Sequence, residues 1–268
     1  MDSTSFILTY RHSGDPARRA NLATVLSWLE GLGLAEVILV EQDAAPGLDD
    51  LERFDRLRTV FVHNPGPFNK SWGFNVGWRL ARGSVLAFGD ADLLCRGVRD
   101  AVAAVRSGVP VVRPFTTVLD LDDAQAALLR ADLSCLTDPG FCRQATPRQV
   151  QGEVPPLCGG LVLFARAFFT LLGGWDERFL GWGGEDDAME IKVRRAQLRH
   201  ATLRDMTCLH LPHRRAVTDP ANDPLYRNNL RLLDQLRAMP EEALHRMCEI
   251  SLQIAGNPNM HRPPELLS

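Results

Sequence analysis

Residues 5–88 switch repeatedly between two hydrophobic periods, and this alternation restricts the fold more than any other feature. Residues 5–10 form a short apolar, β-favouring run. Asp15 and Pro16 signal a helix start, Leu22, Val25, Leu26 and Leu29 recur at helical spacing, and Gly31 and Gly33 stop the pattern. Residues 36–41 and 59–63 read as strands, and residues 69–82 as a helix with small residues inside. A fourth strand over 84–88 runs straight into Asp90-Ala91-Asp92. Strand and helix in alternation, with short connections, predict an α/β fold with a mostly parallel sheet flanked by helices. Such sheets bind ligands at the carboxyl ends of their strands. Tyr10-Arg11, Glu41-Gln42-Asp43, His63-Asn64 and Asp90-Ala91-Asp92 all fall at such ends and are expected to share one rim.

The remainder is less regular. Helices are expected over 101–106 and 122–130, and a strand over 109–115. Residues 135–158 hold Pro139, Pro147, Pro155, Pro156, Gly140 and Gly152, which reads as a long loop suited to closing over a ligand. A strand over 161–165 and a helix over 167–172 follow. A helix is expected from Glu185 to about Arg199, then a strand over 206–209. The tail from Leu225 reads as two helices, with Pro240 opening the second.

Composition narrows the class. Of 268 residues, 45% are apolar and 24% charged, which excludes collagenous, disordered and disulfide-scaffold chains. The longest apolar stretch, 161–172, is interrupted by Arg166 and falls short of the roughly 20 residues a membrane span needs. No basic-then-apolar leader opens the sequence. Six cysteines occur without a Cys-x-x-Cys pair, which fits reduced thiols in a cytoplasmic protein. A net charge of −3 disfavours nucleic acid as a partner.

Three clusters carry chemistry. Asp90 and Asp92 stand two apart after a strand, so both carboxylates point the same way and suit a hard divalent cation. A solvated strand-ending turn is the ordinary alternative. Gly181-Trp182-Gly183-Gly184-Glu185-Asp186-Asp187 is more specific. The helix macrodipole favours one or two acids at a helix start. It does not account for a tryptophan held between glycines beside them, whereas an aromatic face next to carboxylates suits a sugar ring. His210-Leu211-Pro212-His213 offers an imidazole to complete a metal site, and imidazole with carboxylate suits Mn²⁺ better than Mg²⁺. Arg214-Arg215 suits phosphate or open solvent. Gly183-Gly184-Glu185-Asp186 is close to the Gly-Gly-Asp-Glu-Phe motif of cyclic-dinucleotide cyclases, but Asp187 stands in place of the phenylalanine and a helix follows.

Together these pieces resemble a metal-dependent glycosyltransferase of the GT-A fold, of the β-1,4-galactosyltransferase family and the related bacterial chondroitin-type polymerases. Residues 68–77 look like the family's Phe-Asn-Arg-Ala…Asn-Val-Gly segment. The Asp-x-Asp at Asp90 and Asp92 follows in the same order. Cys158-Gly159-Gly160 and Gly173-Gly174-Trp175-Asp176 match two glycine turns, and residues 181–187 match the family signature residue for residue. His210 falls where the family's metal-binding histidine does.

The resemblance implies a single GT-A catalytic domain over 1–215, its nucleotide-binding half at 1–95 and its acceptor half at 96–215, followed by a helical extension over 216–268. It implies donor contacts from Tyr10, Arg11, Asp43, Phe68, Lys70, Asp90, Gly160, Trp182, Gly183 and Gly184. Asp92 and His210, with Asp90 beside them, would hold Mn²⁺ or Mg²⁺. Asp186 would be the catalytic base, supported by Glu185, and Trp182, Asp186 and Asp187 would meet the acceptor. Lys70 stands where the family has arginine, which removes a bidentate phosphate contact. The implied reaction moves a hexose or N-acetylhexosamine from a UDP-sugar to a hydroxyl of a glycan or other acceptor, with inversion, in bacterial polysaccharide or glycoconjugate synthesis. Peripheral contact with a membrane is compatible with the C-terminal helices. Two other functions compete: a sugar-1-phosphate nucleotidyltransferase, for which residues 10–15 make a poor triphosphate loop, and a non-catalytic nucleotide-sugar-binding protein, which need not keep Asp92, Asp186 and His210.

Overall fold

The computed structural model describes residues 3–48, 51, 54–148, 156–214 and 219–261. The elements run β1 (Thr4–Tyr10), α1 (Pro16–Glu30), β2 (Glu36–Asp43), β3 (Leu57–His63), α2 (Lys70–Leu80), β4 (Val85–Gly89) and β5 (Leu93–Cys95). They continue with α3 (Val98–Arg106), β6 (Val111–Arg113), β7 (Thr117–Asp120), α4 (Asp123–Ala131), α5 (Pro139–Gln144), β8 (Thr146–Pro147), β9 (Leu161–Ala165) and α6 (Arg166–Leu171). Last come α7 (Glu185–Arg195), β10 (His200–Thr202), β11 (Thr207–His210), α8 (Pro224–Ala238) and α9 (Glu241–Ile254).

The main sheet has the order β10-β6-β9-β4-β1-β2-β3. Strands β4, β1, β2 and β3 run parallel, and β9 runs antiparallel to both its neighbours, β4 and β6. This is the mixed, mostly parallel α/β sheet expected from the sequence. Alternate residues enter opposite layers, as the two-residue period of a strand requires. Phe6, Leu8, Val37 and Leu39 face α1 and α3, whereas Ile7, Ile38 and Val40 face α2. The second layer is aromatic, with Phe88 within 4.6–6.1 Å of Phe74, Phe164, Phe169 and Trp175.

The small residues inside α2 have a steric cause. A Cβ on Gly73 would lie 2.1 Å from Thr9 Oγ1, and one on Gly77 would lie 2.4 Å from Ile7 Cγ2. The helix therefore lies against β1 at a distance only glycine permits. Asn69 caps it by accepting from the Trp72 amide at 2.9 Å.

A second, smaller sheet has the order β5-β11-β7-β8. It forms because β11 pairs antiparallel with β5 and parallel with β7. The sequence does not announce this sheet, since its strands have at most four residues.

Three local expectations are corrected. Residues 135–158 are not one open loop: a 3₁₀ turn over Leu133–Thr137, then α5 and β8, occupy 133–147. Asp132 and Asp138 cap two of these turns, and residues 149–155, with Gly152 and Pro155, lie outside the described residues, as does Arg215. Helix α7 ends at Arg195 and not near Arg199. Gln197 takes φ 53°, the Gln197 amide donates to Arg194 and the Leu198 amide to Val193, which is a Schellman stop. The strand over 109–115 shrinks to Val111–Arg113.

Helices α8 and α9 pack on α7. Leu233, Leu236, Leu244 and Cys248 form one buried cluster with Phe179 and Ala188. Among the described residues no helix is long and apolar enough to cross a membrane.

Candidate active site

Four strand ends do meet on one rim, and Gln42 joins three of them, those of β1, β2 and β3, to the start of α2. Its side-chain amide donates to Thr9 Oγ1 at 2.7 Å and to the Asn69 carbonyl at 2.8 Å. Its carbonyl accepts from Asn64 Nδ2 and from the Asn69 amide. Buried amides satisfied in this way hold a loop cluster rigidly. Arg11 adds a second brace, donating to the carbonyls of Gln42, Asn64 and Gly66 at 2.8, 2.9 and 2.6 Å. Its guanidinium lies 5.8 Å from the centre of the Phe68 ring. Arg11 and Phe68 thus stand together, and Asp43 ends β2 nearby, its carboxylate turned to the Ala44 amide. Tyr10 is buried, and its hydroxyl has no hydrogen-bond partner among the described residues.

The acid cluster forms where α2 and α7 begin. Lys70 Nζ lies 3.0 Å from Asp90 Oδ1, 3.2 Å from Glu185 Oε1 and 3.3 Å from Asp186 Oδ1. The ammonium therefore sits among three carboxylates drawn from two distant stretches of chain. Burial pushes the Asp186 carboxyl well up; Lys70 pulls against this, while Glu185 and Asp90 add to it. For Lys70 the three acids outweigh burial and hold the ammonium firmly charged. Asp187 is also raised, by burial first and then by Glu185 and Glu190. Asp90 was expected beside a metal; its carboxylate instead meets Lys70. Gly160 lies behind it, its carbonyl accepting from the Asp90 amide at 2.9 Å.

The Gly-Trp-Gly-Gly segment precedes α7 and is held from behind by α8. Asn229 Nδ2 donates to the carbonyls of Leu180 and Gly183 at 2.9 and 2.8 Å, and its Oδ1 accepts from the Leu180 amide. The Tyr226 ring lies 5.3 Å from that of Trp182, tilted by 32°. Gly183 and Gly184 take φ of 89° and 93°, and a Cβ on them would strike Tyr226 and Phe179. Glycine is required on both counts. Trp182 remains 53% exposed.

A candidate metal-ligating group lies where β11 ends and β5 begins. Ligand atoms of Asp92, His210 and His213 fall within 4.8 Å of one another. His213 Nε2 is 3.0 Å from Asp92 Oδ2, and His210 Nε2 is 4.0 Å from Asp92 Oδ1. The other nitrogen of each ring meets an oxygen: His210 Nδ1 lies 2.8 Å from Asp120 Oδ1, and His213 Nδ1 lies 2.8 Å from the Arg214 carbonyl. Neither oxygen can donate, so each Nδ1 carries the proton; His213 Nε2, at 3.0 Å from the Asp92 carboxylate, donates as well, which raises the His213 imidazole, and a bound cation would displace that proton to reach the lone pair. Burial raises Asp92, but His213 and His210 outweigh it and hold the carboxyl below its ordinary range. Asn21 fixes the turn between the two histidines by donating to the Pro212 carbonyl at 3.1 Å.

His210 and His213 thus stand together, where the sequence left a choice between them. Asp120, Arg148, Tyr226 and Asn229 escaped the sequence reading. Asp120 lies in a stretch given no element, Arg148 in the expected loop, and Tyr226 and Asn229 in the expected tail helix, and no spacing to a known motif marks them.

The chain is similar to known proteins in the sequence of one segment and in its fold. Residues 140–214 match a family model described as the N-terminal domain of galactosyltransferase. The structure is similar to that of GalNAc-T7 with UDP, GalNAc and Mn²⁺, at 16% identity, a TM-score of 0.59, and coverage of 92% of this chain and 54% of that one. It is also similar to glucosyl-3-phosphoglycerate synthase from Mycobacterium tuberculosis with Mn²⁺, UDP-glucose and phosphoglyceric acid, at 16% identity, a TM-score of 0.56, and coverage of 89% and 81%. A Drosophila β-1,4-galactosyltransferase 7 structure, with manganese, UDP-Gal and xylobiose, aligns at 18% identity and a TM-score of 0.44 over 74% of this chain. The chain spans 64% of that protein's length. The fold is therefore the GT-A fold. Fold and matched segment are both similar to those of GT-A glycosyltransferases.

Proposed function

We propose that this chain is a metal-dependent transferase that moves a hexose or N-acetylhexosamine from a UDP-sugar to an acceptor hydroxyl, with inversion. The carrying observation is the presence of two built sites: ligand atoms of two imidazoles and a carboxylate within 4.8 Å of one another, and a partly buried acid cluster at the start of α7. Asp92, His210 and His213 would hold Mn²⁺ or Mg²⁺, and of the two this set of two imidazoles and one carboxylate suits Mn²⁺ better. When bound, the ion supplies Lewis-acid stabilisation of the departing diphosphate.

The chain's own residues do the rest. Arg11 and Phe68 frame the nucleoside end of the rim, beside Asp43 and Tyr10. Trp182 offers an aromatic face to sugar, and Gly183 and Gly184 let backbone approach it. Asp186 takes the acceptor proton as the new bond forms. Its burial strengthens it as a proton acceptor, which a general base for a hydroxyl needs. Lys70 keeps the three carboxylates together before substrate arrives, and Glu185 and Asp187 are placed to bind sugar hydroxyls. Bacterial polysaccharide or glycoconjugate synthesis in the cytoplasm fits such a transferase.

The test is UDP release from a panel of UDP-sugars, with and without Mn²⁺ and without added acceptor. Slow, Mn²⁺-dependent hydrolysis of one donor supports the proposal. Absence of both release and calorimetric binding of UDP with Mn²⁺ overturns it.

A further inference from the structure

The end of β7 places an acid on the far side of a candidate metal ligand. In the parallel pairing of β11 with β7, His210 stands opposite Asp120. In the antiparallel pairing of β7 with β8, Asp120 stands opposite Thr146, two residues before Arg148. The register of three short strands therefore sets Arg148, Asp120 and His210 in a row that ends at Asp92. Arg148 Nε donates to Asp120 Oδ2 at 3.1 Å and its Nη2 to Oδ1, a two-pronged grip on the carboxylate. Asp120 Oδ1 accepts from His210 Nδ1 at 2.8 Å. His210 Nε2 faces Asp92.

We propose that Asp120, clamped by Arg148, is the positioning residue that fixes the ring orientation and tautomer of His210 as a metal ligand. A carboxylate on Nδ1 forces the proton onto that nitrogen, frees the Nε2 lone pair and makes the imidazole a stronger donor. His213 has only a backbone carbonyl in the same role, so the two histidines are held by unequal means. The guanidinium fixes Asp120 in turn, because a planar fork gripping both oxygens leaves the carboxylate no freedom to rotate. The inference rests on the metal-site reading above and adds a residue outside the ligand set.

The experiment measures Mn²⁺ affinity of the whole chain by calorimetry and by electron paramagnetic resonance, without substrate. Asp120→Ala is expected to weaken binding about 10- to 100-fold, the usual effect of removing such an outer partner. Asp120→Asn, whose amide oxygen still accepts from Nδ1–H, should recover part of the loss. In a His210→Ala background, Asp120→Ala should cost less than about twofold, since a residue acting only through His210 loses its lever there. Wild-type binding with an undiminished Asp120→Ala variant, or an equal loss in both backgrounds, overturns the inference. Should Asp120→Ala fail to fold, Asp120→Asn carries the test: a several-fold loss confined to the His210 background supports it, and none overturns it. If the wild type itself takes up no Mn²⁺, the metal-site reading fails first.

Discussion

Lys70 Nζ lies 3.3 Å from Asp186 Oδ1, although the two are 116 positions apart in sequence. The contact joins the first residue of α2 to the second of α7, and with them the two glycosyltransferase-like motifs. Asp186→Asn keeps the shape of this contact and removes the proton acceptor. Transfer should fall by about 10²- to 10⁴-fold, the usual worth of a positioned base, while UDP affinity stays within a few-fold of wild type. Steady-state rates and UDP calorimetry on the same preparation check both halves.

Lys70→Met leaves three partly buried carboxylates without their cation. Removing one partner of a fully buried ion pair costs about 3–5 kcal/mol; solvent reaches these acids, so a smaller loss of about 1–3 kcal/mol is expected at neutral pH. The three acids relieve the strain by taking up protons, so the deficit should shrink on moving toward pH 5. Denaturant melts of wild type and variant at the two pH values test this, and a pH-independent deficit would count against the cluster.

Asn229→Ala removes the donors to Leu180 and Gly183 and leaves their carbonyls without a partner. A cost of about 1–3 kcal/mol follows from an unsatisfied buried polar group. Because those carbonyls flank Trp182, the variant should also raise KM for donor or acceptor without removing any group that touches them. Thermal melts and initial-rate kinetics separate the two effects.

Asp176 provides a stability signal away from the metal ligands. Burial raises its carboxyl, but the bonds from Arg178 at 2.6–3.2 Å outweigh this and hold it below the ordinary range. A depressed folded value means stabilisation that is present above the unfolded pKa of about 4 and is lost as pH falls through the lower folded value. Asp176→Asn should therefore lower stability at pH 7 and lose its deficit progressively below about pH 4. Urea midpoints across that window give the answer, and a deficit that grows on acidification would sink the assignment.

Much of the molecule is readable from residue order. The strand and helix periods of β1 to β4 are bounded by Asp-Pro and glycine, and most of these elements are deeply buried, so their positions follow within a few residues. The acid-rich start of α7 was equally plain, because three consecutive acids directly after paired glycines form a pattern that ordinary helix capping does not produce. What escaped depended on tertiary pairing. Strands β5, β7 and β8 are too short to show a period, and only their register with the expected strand β11 puts Asp120 behind His210. Lys70 read as a weakened phosphate contact because sequence order cannot show that Asp90, Glu185 and Asp186 would surround it. Asn229 and Tyr226 fall in a tail read only as helical, with no motif to mark them.

That tail helix bears on where the protein can be cut. Every motif residue lies at or before position 213, so a chain shortened to end there keeps the whole recognisable signature. It would lose Asn229, Tyr226 and Leu225, the atoms against which the Gly181–Gly184 turn is moulded. A fragment defined by its motifs would thus keep its acids and histidines but lose the mould for its sugar-facing turn. Fusions, tags and domain swaps in proteins of this design belong beyond α9, not at the apparent end of the signature.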